Sequence, residues 1–134
     1  MPKPRKPLEY IAYEGRKFVI EWYHDDDGYS PALEYAETLD DFHRRKLLEL
    51  FRLLGDIGQV HNKLKFRNEG DRICAFKPKP YRFLCFFFTG KKVIVTNGFY
   101  KDQDKLPPNE KLRALQCKGD YETRVYAGVY YAKE

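Results

Sequence analysis

Residues 63–118 read KLKFRNEGDRICAFKPKPYRFLCFFFTGKKVIVTNGFYKDQDKLPPNEKLRALQCK. Two strongly β-forming runs, Tyr81 to Phe88 and Lys92 to Phe99, flank the tight turn Thr89-Gly90-Lys91, which is a hairpin pattern. A third run, Arg72 to Lys77, precedes them across Pro78 and Pro80. Such short connections make the three strands antiparallel neighbours. Pro107-Pro108 opens a helix that reaches about Lys118, where Gly119 is expected to stop it. The stretch holds fourteen Lys and Arg against five Asp and Glu, a net of +9. Residues 1–62 hold nine basic and twelve acidic side chains, and residues 119–134 hold two and three. The formal +5 of the chain therefore hides a polarised molecule, and a basic face on a small sheet attracts polyanions such as RNA or DNA.

Upstream, Lys17 to Tyr23 (KFVIEWY) is β-branched and aromatic and reads as the first strand. The loop His24-Asp25-Asp26-Asp27-Gly28 lacks the ligand alternation and distal Glu of a calcium loop, so it reads as a solvated turn. Ser30-Pro31 starts a short helix running to Glu37. Thr38 is the expected cap of a second, longer helix, with Asp41 at its third position. Leu39, Phe42, Leu47, Leu50, Phe51 and Leu54 recur at helical spacing and form one core-facing stripe, with Gly55 and Gly58 as the stop. The order is thus β-α-α-β-β-β-α. It describes one α/β domain over residues 1–134, an antiparallel-rich sheet with a helical hairpin and a C-terminal helix on one of its faces. Residues 1–16 are a basic, proline-rich arm, expected to be loosely ordered. Residues 119–134 are a tyrosine-rich tail, in which TRVYAGVYY reads as a last strand or a dimer-forming tail.

Bulk properties narrow the classes further. The hydrophobic fraction of 43% is that of a globular domain with a single core. No apolar run approaches the roughly 20 residues a bilayer requires, and no signal-peptide core follows MPKPRKPLEY, so a cytoplasmic protein is expected. Cys74, Cys85 and Cys117 are odd in number and widely spaced, which reads as small buried hydrophobes in a reducing compartment.

The candidate chemistry lies among the strands. His61, Lys63 and Lys65 precede the Arg72 strand, Arg82 starts the next, and Lys101 and Lys105 follow the last. Antiparallel pairing would gather them into a cationic concavity with a titratable His at its rim. That set suits RNA cleavage through the ribose 2′-hydroxyl. A base takes the 2′-proton, cations hold the scissile phosphate, and an acid protonates the leaving 5′-oxygen. Arg suits the phosphate because its fork donates two hydrogen bonds, and His suits the proton work. No metal or cofactor is needed, and no metal motif is present. His61 also reads as a surface or capping residue, and Lys63, Lys65, Lys91 and Lys92 as solubilising charges. Arg82, set before an apolar run, needs a partner in the protein or in a ligand. Tyr81, Phe83 and Phe87 could stack on bases, but their period-2 spacing makes core the first reading.

At these residues the chain resembles the RelE/HigB-like toxins of type II toxin–antitoxin modules, in particular the phage-derived branch. The resemblance runs from about Lys17 to Tyr121 and is carried by KLKF, PYRFLCFFFTGKKVIVTNGFYK, DKLPPNEKLRAL and DY. It implies the same element order and a ribosome-dependent, metal-free mRNA endoribonuclease that is held in check by a cognate antitoxin. It also implies roles: Arg82 on the scissile phosphate, His61 and Lys63 as the His/Lys-Leu element, Lys101 as the first Lys of a "GF-x-K-K" turn, and Tyr121 as a late catalytic aromatic. Lys63, Lys65, Arg67, Lys77 and Lys105 are the expected RNA and phosphate contacts.

Four positions depart from that pattern. Ile73 and Ala75 stand where polar residues are usual, Lys77 replaces an Arg, and Asp102 stands in place of the second Lys. They motivate an alternative, a catalytically reduced member that binds RNA, ribosome or partner without cleaving. A gyrase-directed toxin of the related ParE group is a third reading. The implied partners are mRNA on the ribosome and an antitoxin of the helix-turn-helix type, with homodimers or hetero-oligomers both open.

Overall fold

The computed structural model of the chain describes residues 5–101 and 105–131. Its elements are β1 (Ile11–Glu14), β2 (Val19–Trp22), α1 (Pro31–Glu37), α2 (Asp41–Arg52), β3 (Phe66–Asn68), β4 (Cys74–Phe76), β5 (Tyr81–Phe88), β6 (Lys92–Tyr100) and α3 (Pro108–Tyr126). They build the expected α/β fold around a six-stranded sheet in the order β1-β2-β6-β5-β4-β3. Neighbouring strands are antiparallel except β2 and β6, which run parallel from Val19↔Lys92 to Trp22↔Val95. Two strands escape the sequence pattern because each is too short to show a period. β1 lies inside the expected arm, and β3 inside NKLKFRN. Asp71 and Arg72 adopt positive φ in the tight β3–β4 turn, so the expected Arg72 strand begins only at Cys74.

Helices cover both faces of the sheet, which corrects the one-sided arrangement expected. On one face α1 and α2 bury Leu33, Leu47, Phe51 and Leu54 against Ile20, Trp22, Phe76 and Phe83. On the other, α3 buries Ala114, Cys117 and Tyr121 against Ile73, Ala75, Leu84, Phe86 and Ile94. Strands apolar at nearly every position, such as YRFLCFFF, are what two covered faces demand. Ser30 caps α1 as expected, its Oγ accepting the Leu33 N–H at 3.3 Å. The α2 cap is Asp40, not Thr38. Its carboxylate accepts the His43 N–H at 2.8 Å, and Thr38 is the C-cap of α1. All three cysteines are buried thiols.

Of the expected glycine stops, Gly58 holds, while Gly55 and Gly119 do not. After α2 the chain continues as a wider helical turn, Leu53–Ile57, and ends at Gly58 with φ 93°. Gly55 serves close approach instead. Its carbonyl accepts N–H bonds from Lys17 at 2.6 Å and Phe18 at 2.9 Å, and a Cβ on the facing Gly15 would collide with its backbone. Gly119 sits mid-helix with open space around it, and α3 runs on to Tyr126 because Tyr121 and Arg124 beyond it are buried. Tertiary burial here outweighs the ~1 kcal/mol that Gly costs in a helix. The tail is therefore neither strand nor extension. Tyr130 and Tyr131 fold back on Tyr121, with the Tyr121 and Tyr131 hydroxyls 2.5 Å apart. From residue 5 the arm is anchored too, since the Arg5 guanidinium pairs with Glu34 at 2.5 Å and Glu37 at 2.7 Å.

No helix among the described residues is long and apolar enough to cross a membrane.

Candidate functional site

A bulge in β6 decides which way the site residues point. Leu84 is opposite Asn97, yet Cys85 is opposite Val95, so Thr96 is an extra residue in the ladder. Val93 and Val95 face α1 and α2, and an unbroken period of two would send Phe99 and Lys101 the same way. The inserted Thr96 reverses that parity. Phe99 joins the core under α3, opposite Arg82, and Lys101 continues on that side with its N–H bonded to the Pro80 carbonyl at 2.9 Å. Bulges beside functional sites commonly re-aim side chains in this way. Thr96 Oγ1 bonds the Leu84 carbonyl at 3.2 Å, and Asn97 Nδ2 reaches the Glu110 side chain at 3.1 Å, which ties the bulge to α3.

The Pro78–Pro80 connection completes the arrangement. It places Lys77, at the end of β4, and Arg82, at the start of β5, at the same end of the sheet. Lys77, Arg82 and Lys101 are buried, at 9%, 7% and 7% exposure. Burial pushes the Lys77 ammonium below the usual lysine range, and the charges of Arg82, Arg67 and Lys101 push it further, opposed by Glu69. Four cations thus meet on one face beside the open end of α3. Lys77 donates to the Lys63 carbonyl at 3.2 Å, and Arg82 Nη1 to the Tyr81 carbonyl at 2.9 Å.

Lys77 also lines a cleft of about 610 Å³ together with His61, Lys63 and Arg67. His61 and Lys63 are exposed on its rim. Four of the nine expected site residues, His61, Lys63, Arg67 and Lys77, thus line one cleft, while Arg82 and Lys101 act on the charge of Lys77. Lys65 is exposed and lies toward Glu49 of α2, whose carboxyl it helps to hold below the usual range. Lys105 is exposed. Tyr121 is fully buried among Phe86, Phe88, Tyr130 and Tyr131. Phe88 is the far end of β5 from Arg82, roughly 20 Å away at strand rise, so Tyr121 belongs to the core and not to this cluster. Ile73 and Ala75 are also fully buried, under α3. Asp102 lies outside the described residues.

Comparison with protein families adds one finding. A family model described as "Phage derived protein Gp49-like (DUF891)" matches residues 34–118, from α1 to α3, and so spans both the cleft and the cation cluster. The chain belongs to this family. No curated protein matches it. The Gp49-like family is phage-derived and related to the RelE/HigB-like toxins. In this Gp49-like chain Arg67, Lys77, Arg82 and Lys101 all lie within the matched segment.

Sequence reading passed over one further group. Tyr100, next to Lys101, is 58% exposed, and its ring lies 5.9 Å from that of Tyr81. The signal for it was the aromatic placed directly before the "K" of GFYK.

Proposed function

We propose that this Gp49-like protein is the toxin of a type II toxin–antitoxin pair, a ribosome-dependent endoribonuclease that cleaves mRNA by attack of the ribose 2′-hydroxyl. The observation that carries this reading is the gathering of Arg67, Lys77, Arg82 and Lys101 around one point, beside a cleft with His61 at its rim. Cations disposed around one point suit a phosphodiester, whose oxygens carry the opposite charge. In the proposed step His61 takes the 2′-proton, the 2′-oxygen attacks phosphorus, and the P–O5′ bond breaks to leave a 2′,3′-cyclic phosphate. Lys77, whose ammonium is already acidified by burial and then by the neighbouring cations, returns a proton to the 5′-oxygen. Arg82 and Lys101 hold the phosphate oxygens as charge builds on them.

Expression in a bacterium that lacks an antitoxin tests the reading: growth stops, and translated mRNA is cut. Growth arrest that survives both Arg82→Ala and His61→Ala removes the proposed site.

A second reading has its own observation. Ile73 and Ala75, where related toxins carry polar groups, are sealed in the core under α3. A protein so reduced would bind RNA or ribosome through the cations without cutting. Uncut mRNA in a purified translation system, with binding retained, selects it.

A further inference from the structure

Two of the three cysteines face each other. Cys74, at the start of β4, is the register partner of Cys85 in the middle of β5. Both side chains lie on the α1 and α2 side of the sheet, in the core that holds Phe76 and Phe83. Residues directly opposite in an antiparallel pair have Cα atoms about 4.5–5.5 Å apart, within the roughly 4.4–6.8 Å that a disulfide spans. Cys117 lies under α3, and the sheet separates it from both.

The pair also has an entrance. Cys74 lines the cleft that His61, Lys63, Arg67 and Lys77 share, while Cys85 is wholly buried. A small oxidant in the cleft therefore meets Cys74 first. The segment from Cys74 to Cys85 holds Lys77 and Arg82, so the two thiols bracket the connection that carries two of the cations.

We propose that Cys74 and Cys85 are a redox-sensitive pair, oxidised through the cleft by hydrogen peroxide to a cross-strand disulfide. The Cys74 thiolate attacks one peroxide oxygen, the O–O bond breaks, and hydroxide leaves. The sulfur loses two electrons and becomes a sulfenic acid. Cys85 Sγ then attacks Cys74 Sγ, the S–O bond breaks, and the departing hydroxide takes the Cys85 proton as water. In sum, two thiols and one peroxide give one disulfide and two waters. A dithiol reductant restores both thiols by exchange. Burial raises both thiols above their ordinary range, helped at Cys74 by the Glu69 charge, so the reaction at neutral pH is slow. The bond ties the edge hairpin of β3 and β4 to β5. It forms whether or not the cations hold RNA.

The test exposes the full, reduced, folded chain to hydrogen peroxide for hours and then blocks remaining thiols with N-ethylmaleimide in denaturant. The expected product has lost two hydrogens and blocks at Cys117 alone. Its tryptic map joins the peptide holding Cys74 to the peptide holding Cys85, and dithiothreitol separates them. The melting temperature of the oxidised protein rises by about 5 °C. Cys85→Ala stops at the sulfenic acid of Cys74, which dimedone traps, and Cys117→Ala forms the bond as the wild type does. Arg82→Ala, which removes the proposed phosphate contact, forms it too. If the folded wild type keeps three blockable thiols, the pair is overturned. A bond that involves Cys117, that joins two molecules, or that forms only in urea overturns it as well. The wild-type map decides alone should Cys85→Ala fail to fold.

Discussion

Two charged regions of this molecule are built on opposite rules. Around β2 and the C-terminal turn, cations meet carboxylates. Lys92 Nζ lies 3.0 Å from the buried Glu21 carboxylate, which also accepts from the Tyr131 hydroxyl at 2.9 Å. Arg124 pairs with Asp120 at 2.9 Å and donates to the His24 carbonyl at 2.8 Å. His24 itself is stacked between Tyr10 at 4.2 Å and Tyr130 at 4.4 Å. Around Lys77, burial and then the charges of Arg82, Arg67 and Lys101 lower the ammonium, opposed by Glu69. Paired charge of opposite sign holds the fold together. Where cations crowd one another, each disfavours the charged form of the next.

The largest expected effect on stability sits in the balanced region. Glu21→Ala takes the shared carboxylate from the partly exposed Lys92 and Tyr131 and should cost about 1–3 kcal/mol, read from urea unfolding. RNA cleavage by the folded fraction should not change. Arg82→Ala should do the reverse, lowering cleavage in a translation system about 10²–10³-fold while the protein stays folded. If Arg82→Ala unfolds the protein as Glu21→Ala does, the contrast between the regions collapses.

Smaller effects come from the two titrating groups. Burial holds the His24 imidazole below its ordinary 6.5. The unfolded chain then binds more protons than the folded one between the lowered value and 6.5. Stability is therefore full above 6.5 and falls as the pH drops through that window. His24→Phe should flatten this slope in unfolding midpoints measured from neutral to acid pH. Lys77 behaves alike at the other end of the scale. Its penalty is fully present below its lowered value and is relieved as pH rises toward 10.5, so stability rises across that window in the wild type but not in Lys77→Met. The same variant should reduce the salt slope of RNA binding by about 1, the share of one phosphate contact.

How much of this was legible in the chain differs by residue, for physical reasons. Ser30-Pro31 and the Tyr81–Lys92 hairpin carry their own local signals, a cap with a fixed φ and a turn between β-forming runs, and both formed as read. The convergence of Arg82 and Lys101 was expected as well, but its cause was not. Strand parity alone would have separated them, and only the Thr96 bulge, a feature of register, brings them together. Tyr121 followed family resemblance rather than its own surroundings, and the folded-back Tyr130 and Tyr131 decide its place. Phe42 fits the α2 stripe by spacing, yet it is 58% exposed, its ring against His43 and under the Lys46 ammonium. YRFLCFFF held one clue that was passed over: apolar residues on both strand faces already require cover on both sides.

The parallel pairing of β2 with β6 bears on the order of assembly. Val19 can meet Lys92 only after more than two-thirds of the chain exists, and such long closures are slow. The β1–β2 hairpin must therefore wait with an open edge as the chain is made. The segment from His61 to Lys101, which carries the cation cluster, joins through short turns and can organise early. A partner that recognises the cations could thus engage the newly made chain before the central seam of its sheet has closed.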